Sequence, residues 1–446
     1  MRHSFKITLL AAAVTACFHG GASAQTNTEI LTELKRLREE LQQVRGELDT
    51  LKRGGTPIAT AAAPVAVTAS APATAIAAAP AAANTQQAAG AYNNPGAALS
   101  FFGYGEMTYS RPSNDAAGAQ ATLRRGVLGW AYRFDEKTRF AAELEIENAV
   151  VSAGDRGEAE LEQFYLEHDL SRNLTAKAGL FLMPVGYINE VHEPTHYYGV
   201  NRNLVETSII PSTWREMGVG LRGTTEAGLR WDAGLVTSFD LTKWDAASTD
   251  GQTSPLAAIH QEGQYAKARD LAVYGALNYN GVPGFNIGAS VFSGGIGHQQ
   301  PGFAAPDARM LLTELHARWQ PGRWDLSALA AAGQFSNVDA LNATFAGQAT
   351  PVPSTFSGAY AQVAYRLWQQ GDYALAPFVR YEQLNTARGY SGLDTGLAPS
   401  VLPDTRAWTL GANFYLNPQV VLKVDVQRYL NDSALDRLDL GIGFHF

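Results

Sequence analysis

Polar and apolar residues alternate one for one through most of the chain beyond Leu99. From Arg139 to Glu147, Phe140, Ala142, Leu144 and Ile146 fall on one side of an extended backbone, with Glu143, Glu145 and Glu147 on the other. From Val420 to Gln427, Val420, Leu422, Val424 and Val426 oppose Val421, Lys423, Asp425 and Gln427. Side chains of a strand point to opposite faces with period two, so each run predicts a strand with one wet face. Sixteen such runs centre on Gly103, Gly129, Leu144, Tyr165, Gly179, Leu221, Ala233, Gly275, Gly288, Leu315, Leu329, Gln362, Val379, Gly411, Val424 and Ile442.

The gaps between the runs carry as much information as the runs. Tight turns are predicted at 134–138, 170–174, 224–228, 280–283, 320–323, 368–372 and 417–418. Longer gaps lie between those pairs, at 111–121, 184–215, 240–265, 294–308, 336–355 and 385–405. Strict alternation of short and long connections predicts an all-β transmembrane barrel of sixteen antiparallel strands over residues 99–446. Stacked soluble β-sandwiches would bury both faces and leave the asymmetry of the connections unexplained. The last run places Leu438, Leu440, Ile442, Phe444 and Phe446 at every second position. That ending resembles the sorting signature of bacterial outer-membrane barrels, which implies recognition by the barrel-assembly machinery through the Phe446 strand.

A different texture precedes the barrel. Residues 1–24 read as a secretory signal peptide, with Arg2, His3 and Lys6 ahead of an apolar stretch and a small-residue site at Ala22-Ser23-Ala24. A lipobox ending at Cys17 is the alternative. Within 25–53, Ile30, Leu34, Leu37, Leu41, Val44, Leu48 and Leu51 alternate spacings of four and three. This seam predicts an N-terminal coiled-coil helix and a homo-oligomer; a lone amphipathic helix is the competing reading. Residues 54–98 form an Ala/Pro-rich linker, in which Pro64, Pro72 and Pro80 make a continuous helix costly.

Composition narrows the functional classes. Lys+Arg total 34 against 42 Asp+Glu, a net charge of −8, which excludes a basic nucleic-acid-binding surface. The single cysteine, Cys17, lies in the signal region, so the mature chain is stabilised without disulfides.

Four ordered motifs resemble the phosphate-selective porin O/P-like family: Leu123-Arg124-Arg125, the run Gly179 to Gly186, Arg215 to Leu221, and Leu440 to Phe446. The resemblance covers roughly residues 99–446. It implies a trimeric sixteen-stranded barrel in the bacterial outer membrane, with an N-terminal helical extension and a long loop after the fifth strand that folds inwards. The loop at 184–216 has that rank here. The family's phosphate selectivity rests on an arginine ladder and a lysine cluster in the lumen, and no such pattern is visible. Arg125, Glu143, Glu145, Glu147, Glu167, Lys177, Arg380, Glu382, Lys423 and Asp425 are expected to face the lumen, a mixed set.

The loop carries Glu190, Glu193, Glu206 and Glu216 against Arg202 and Arg215, so carboxylates are in excess. Rings of carboxylates favour cations. Glu190, His192, Glu193, His196, Tyr197, Tyr198, Arg202, Glu206 and Arg215 are therefore the candidate constriction residues, with His192 and His196 as pH-dependent contributors. His192-Glu193-Pro194-Thr195-His196 also matches the zinc string His-Glu-x-x-His, which needs a helix to bring both histidines to one face. Pro194 opposes that helix, so neither a catalytic metal nor any cofactor is expected. The expected function is passive diffusion of small hydrophilic solutes or ions, without enzymatic activity, by a homotrimer embedded in outer-membrane lipid. The alternatives are an anion-selective, phosphate-type porin, and a solute-binding or metal-dependent barrel using His192, Glu193 and His196.

Overall fold

The computed structural model describes residues 98–446 apart from Thr395. The predicted signal peptide and coiled coil, and nearly all of the linker, lie outside the described residues. The strands are β1 (Leu99–Pro112), β2 (Gln120–Arg133), β3 (Thr138–Glu147), β4 (Ala159–Ser171), β5 (Leu174–Leu182), β6 (Arg215–Thr224), β7 (Leu229–Val236) and β8 (Ala272–Val282). They continue as β9 (Phe285–Gly295), β10 (Arg309–Trp319), β11 (Trp324–Ser336), β12 (Pro353–Tyr365, resumed at Trp368–Gln370), β13 (Tyr373–Tyr390), β14 (Thr405–Asn417), β15 (Val420–Tyr429) and β16 (Arg437–His445). Each pairs antiparallel with the next, and β1 pairs with β16 from Tyr104↔His445 to Pro112↔Arg437. The sheet closes on itself, so no strand edge is left open.

Two predicted connections differ. Trp368–Gln370 stays paired with β13, so the turn there is only Gly371-Asp372, with Gly371 at φ +59°. β13 itself runs on to Tyr390, past the predicted start of a loop at 385.

Burial is inverted relative to a protein folded in water. Leu128, Leu144, Val219, Val273, Leu315 and Leu410 are exposed on the outer face, while Glu106, Glu143, Arg230, Asp232, Glu314, Arg380 and Asp425 are buried on the inner one. Leaving each large apolar side chain in water forgoes about 1.5–3 kcal/mol of burial energy. A whole belt of them is stable only against hydrocarbon. Around the short-turn rim stand Phe134, Trp319, Trp324, Trp368 and Tyr373, all exposed, the aromatic girdle of an interfacial boundary. At the opposite rim the long connections fold inward. Phe239, Leu241, Trp244, Leu256 and Ile259 from 237–271 pack with Ile296, Phe335, Val338, Leu341 and Phe356 as an apolar core.

One irregularity bears on the interior. β3 and β4 pair Glu143 with Gln163 but Leu144 with Leu161, which leaves Glu162 as an extra, bulged residue. Both Glu162 and Gln163 are consequently buried, since a bulge breaks the strand's alternation and re-aims a side chain.

Candidate pore constriction

The connection from Met183 to Trp214 is built to enter the barrel rather than to lie over it. Its two ends are clasped together: the Met183 amide donates to the Trp214 carbonyl at 2.9 Å. The Asn189 amide group bonds both the Met183 and Trp214 carbonyls and accepts from the Trp214 N–H. Beyond this clasp the backbone is irregular, apart from one short helix at Val205–Ser208. No helix forms at Pro194, as its chemistry requires.

The loop leaves between β5 and β6 and meets the wall across the closed sheet from that edge, from β11 round to β2. The Tyr197 hydroxyl donates to Glu106 of β1 at 2.8 Å, and Arg125 of β2 donates to the His192 carbonyl at 3.2 Å. Further round the same wall the Tyr198 hydroxyl donates to Asp325 of β11, the Leu204 amide to Glu382 of β13, and the Val200 amide to Asp425 of β15. Asn201 donates to Asp439 of β16, and Pro194 packs on Gly443 so closely that a Cβ there would stand 2.4 Å from the proline. Only a segment crossing the interior can touch all of these strands.

The candidate residues are tethered individually. Glu190 bridges Arg222 and Arg230, which both also bind Asp232. Burial opposes its ionisation, but Arg230 and Arg222 outweigh burial and hold the carboxyl at about 2. Glu193 is likewise held at about 2, where burial is overcome by His196, 3.1 Å away. Glu206 accepts from the Ile188 amide at 2.8 Å, the Tyr187 amide and the Asn203 side chain; burial nevertheless raises its pKa. Arg202 donates to the hydroxyls of Ser212 and Thr213.

Arg215 and Glu216 belong to β6 rather than to the loop. Arg215 binds Glu160 and Glu262. Glu143, Glu145, Glu167, Arg380, Glu382, Lys423 and Asp425 are buried on the inner wall with Arg125, whereas Glu147 and Lys177 are only partly covered.

The two histidines of the zinc-like string diverge. His192 is enclosed against Tyr104, its Nε2 2.7 Å from the tyrosine hydroxyl. His196 pairs with Glu193 and stacks on His445 at 5.6 Å between ring centroids. The expectation that His192 titrates near neutrality is corrected. Burial, reinforced by Arg202 and Arg125, pushes its pKa to about 3 and leaves it uncharged.

Beside the loop lies a cavity of about 20 Å³, lined by Tyr187, His196, Tyr198, Arg318, Tyr360 and Arg380 among others. That volume holds about one water molecule. Several residues here were not foreseen: Glu106, Arg222, Arg230, Arg318, Asp325 and Tyr360. Each sits on an inward position of a predicted strand or next to a turn, so alternation alone could have found most of them.

The family model "Phosphate-selective porin O and P" matches residues 103–431. The chain belongs to this family. It is an outer-membrane porin, a channel and not an enzyme. An uncharacterised protein of Aquifex aeolicus is 28% identical over 351 residues, covering 76% of this porin and 77% of the relative. Among solved structures, Salmonella typhi OmpF in complex with daunomycin superposes with a TM-score of 0.54 at 12% identity, over 78% of this porin and 97% of OmpF. That likeness concerns the barrel fold. The DcaP channel of Acinetobacter baumannii gives a TM-score of 0.47 at 11% identity, over 78% and 97% of the two chains.

Five of the porin's wall arginines are engaged by carboxylates. Arg125 binds Glu106, Arg139 binds Glu167 and Asp169, Arg318 binds Asp325, Arg380 binds Glu382, and Arg437 binds Asp439. Lys423 stands over the Tyr197 ring at 3.6 Å.

Proposed function

We propose that this porin conducts small hydrophilic solutes by passive diffusion, favours cations, and uses residues 184–216 as its constriction. The observation that carries the selectivity is the pairing of the wall arginines. An anion moving through the lumen would have to compete with the carboxylate already paired with each of these guanidinium groups. Buried carboxylates such as Glu143, Glu145 and Glu314 have no guanidinium partner among the described residues. Rings of carboxylates favour cations in a pore. Glu190, Glu193, Glu206, Arg202 and Arg215 set the local charge, while Tyr197 and Tyr198 wedge the loop against the wall.

A homotrimer is part of this reading, supported by the heptad seam at 25–53. Phe446 would be the handle for the barrel-assembly machinery.

The test is the zero-current potential of purified protein in a planar bilayer across a potassium chloride gradient. A cation-selective sign is expected, with phosphate no more permeant than chloride. An anion-selective sign would overturn the reading.

A further inference from the structure

The buried acidic cluster on the β3–β4 wall is not explained by conduction. Glu143 and Glu145 project from β3, and the bulge at Glu162 adds a third carboxylate from β4. Both Oε atoms of Glu143, and one each of Glu145 and Glu162, are buried without a hydrogen-bond partner. Of the cations that face this group, Arg125 binds Glu106, while Arg202 bonds Ser212 and Thr213 through one nitrogen and leaves its other terminal nitrogen without a hydrogen-bond partner. A buried unpaired carboxylate is costly, and several together are far more so.

His192 completes the arrangement. Its Nδ1 lies 3.1 Å from the Asn189 carbonyl, which can only accept, so Nδ1 carries the proton and Nε2 keeps its lone pair. Nε2 faces the Tyr104 hydroxyl at 2.7 Å and Glu162 at 3.5 Å, while the same hydroxyl lies 3.1 Å from Glu162. One hydroxyl proton cannot serve both acceptors. One ligand atom each from Glu143, Glu162 and His192 lie within 4.8 Å of one another. Small side-chain adjustments would bring them to the roughly 2.0–2.2 Å that nitrogen and oxygen ligands hold from zinc. The Asn189 carbonyl on Nδ1 is the outer partner that fixes such a histidine's tautomer.

We propose that Glu143, Glu162 and His192 bind a divalent transition-metal ion that fastens the inward loop to the β3–β4 wall. An imidazole nitrogen beside two carboxylates suits zinc or manganese better than calcium, which takes oxygen ligands. This ligand set is not the His192/His196 string of the loop: His196 faces Glu193 and His445 on another side.

The experiment uses the full-length protein in detergent, stripped with chelator and dialysed against zinc ions, with bound metal measured by mass spectrometry. Each variant is first checked for folding by its heat-modifiable gel mobility. One zinc per chain is expected. Glu143→Gln and Glu162→Gln, which keep size and shape, should each weaken binding at least ~10-fold, the scale on which metal-site partners act. His196→Ala should leave it unchanged. In the unmodified protein, cobalt should give visible absorption bands that zinc displaces. Absence of stoichiometric metal and of the cobalt bands, or binding untouched by both glutamine variants, would overturn the proposal. So would binding lost in His196→Ala alone. These readouts involve no current, so they stand or fall separately from the selectivity reading.

Discussion

At the scale of single residues, Glu190 carries the sharpest prediction. Its two oxygens pair with Arg222 and Arg230 together, so Glu190→Gln removes one negative charge shared by two guanidinium groups. The freed positive charge should move the zero-current potential toward anions. Paired salt-gradient recordings of the two proteins check this; an unchanged potential removes Glu190 from the selectivity account. Glu143, Glu145, Lys423 and Asp425 were legible as inward residues because their strands alternate without a break. Glu162 was not, because the bulge inserts one residue and reverses the alternation on its own strand. Arg222 and Arg230 flank the turn after β6, where no sequence rule says that both reach one loop carboxylate.

At the scale of elements, all sixteen strands and the inward loop's rank could be read from the spacing of runs and gaps. The inward fold of 237–271 could not, since its apolar residues follow neither helical nor strand periodicity. That loop is held at its base by charge. Asp240 binds Lys267, and Glu262 binds His260 and Arg215. Burial raises both carboxyl pKa values, but it is outweighed, by Thr242 and Lys267 for Asp240 and by His260 and Arg215 for Glu262; both end below their ordinary 3.8 and 4.5. A carboxyl depressed in the folded state stabilises fully above its unfolded value, and that stability is lost as pH falls through the depressed one. Acidification from neutral to below 3.8 should therefore loosen 237–271, read as faster nicking by an acid-active protease within that loop while the barrel stays intact. Protection that stays constant well below that pH would contradict it.

At the scale of the whole molecule, polar groups line the inside, apolar groups the outside, and a tethered segment divides the lumen. The barrel followed from the sequence because every strand repeats one pattern. The path of 184–216 did not, because it depends on backbone amides of Val200 and Leu204 reaching carboxylates more than 170 residues away, a pairing that composition does not encode. That path is the central claim, and it can be tested covalently. The only cysteine is Cys17, so introduced cysteines report without interference. A Cβ built on Gly441 lies 3.6 Å from the Val200 Cβ, within the 3.5–4.5 Å that a disulfide spans. The double variant Val200→Cys/Gly441→Cys should form that disulfide under mild oxidation in the folded barrel, with single-channel conductance unchanged. Free thiols in a barrel that has folded and conducts would contradict the account.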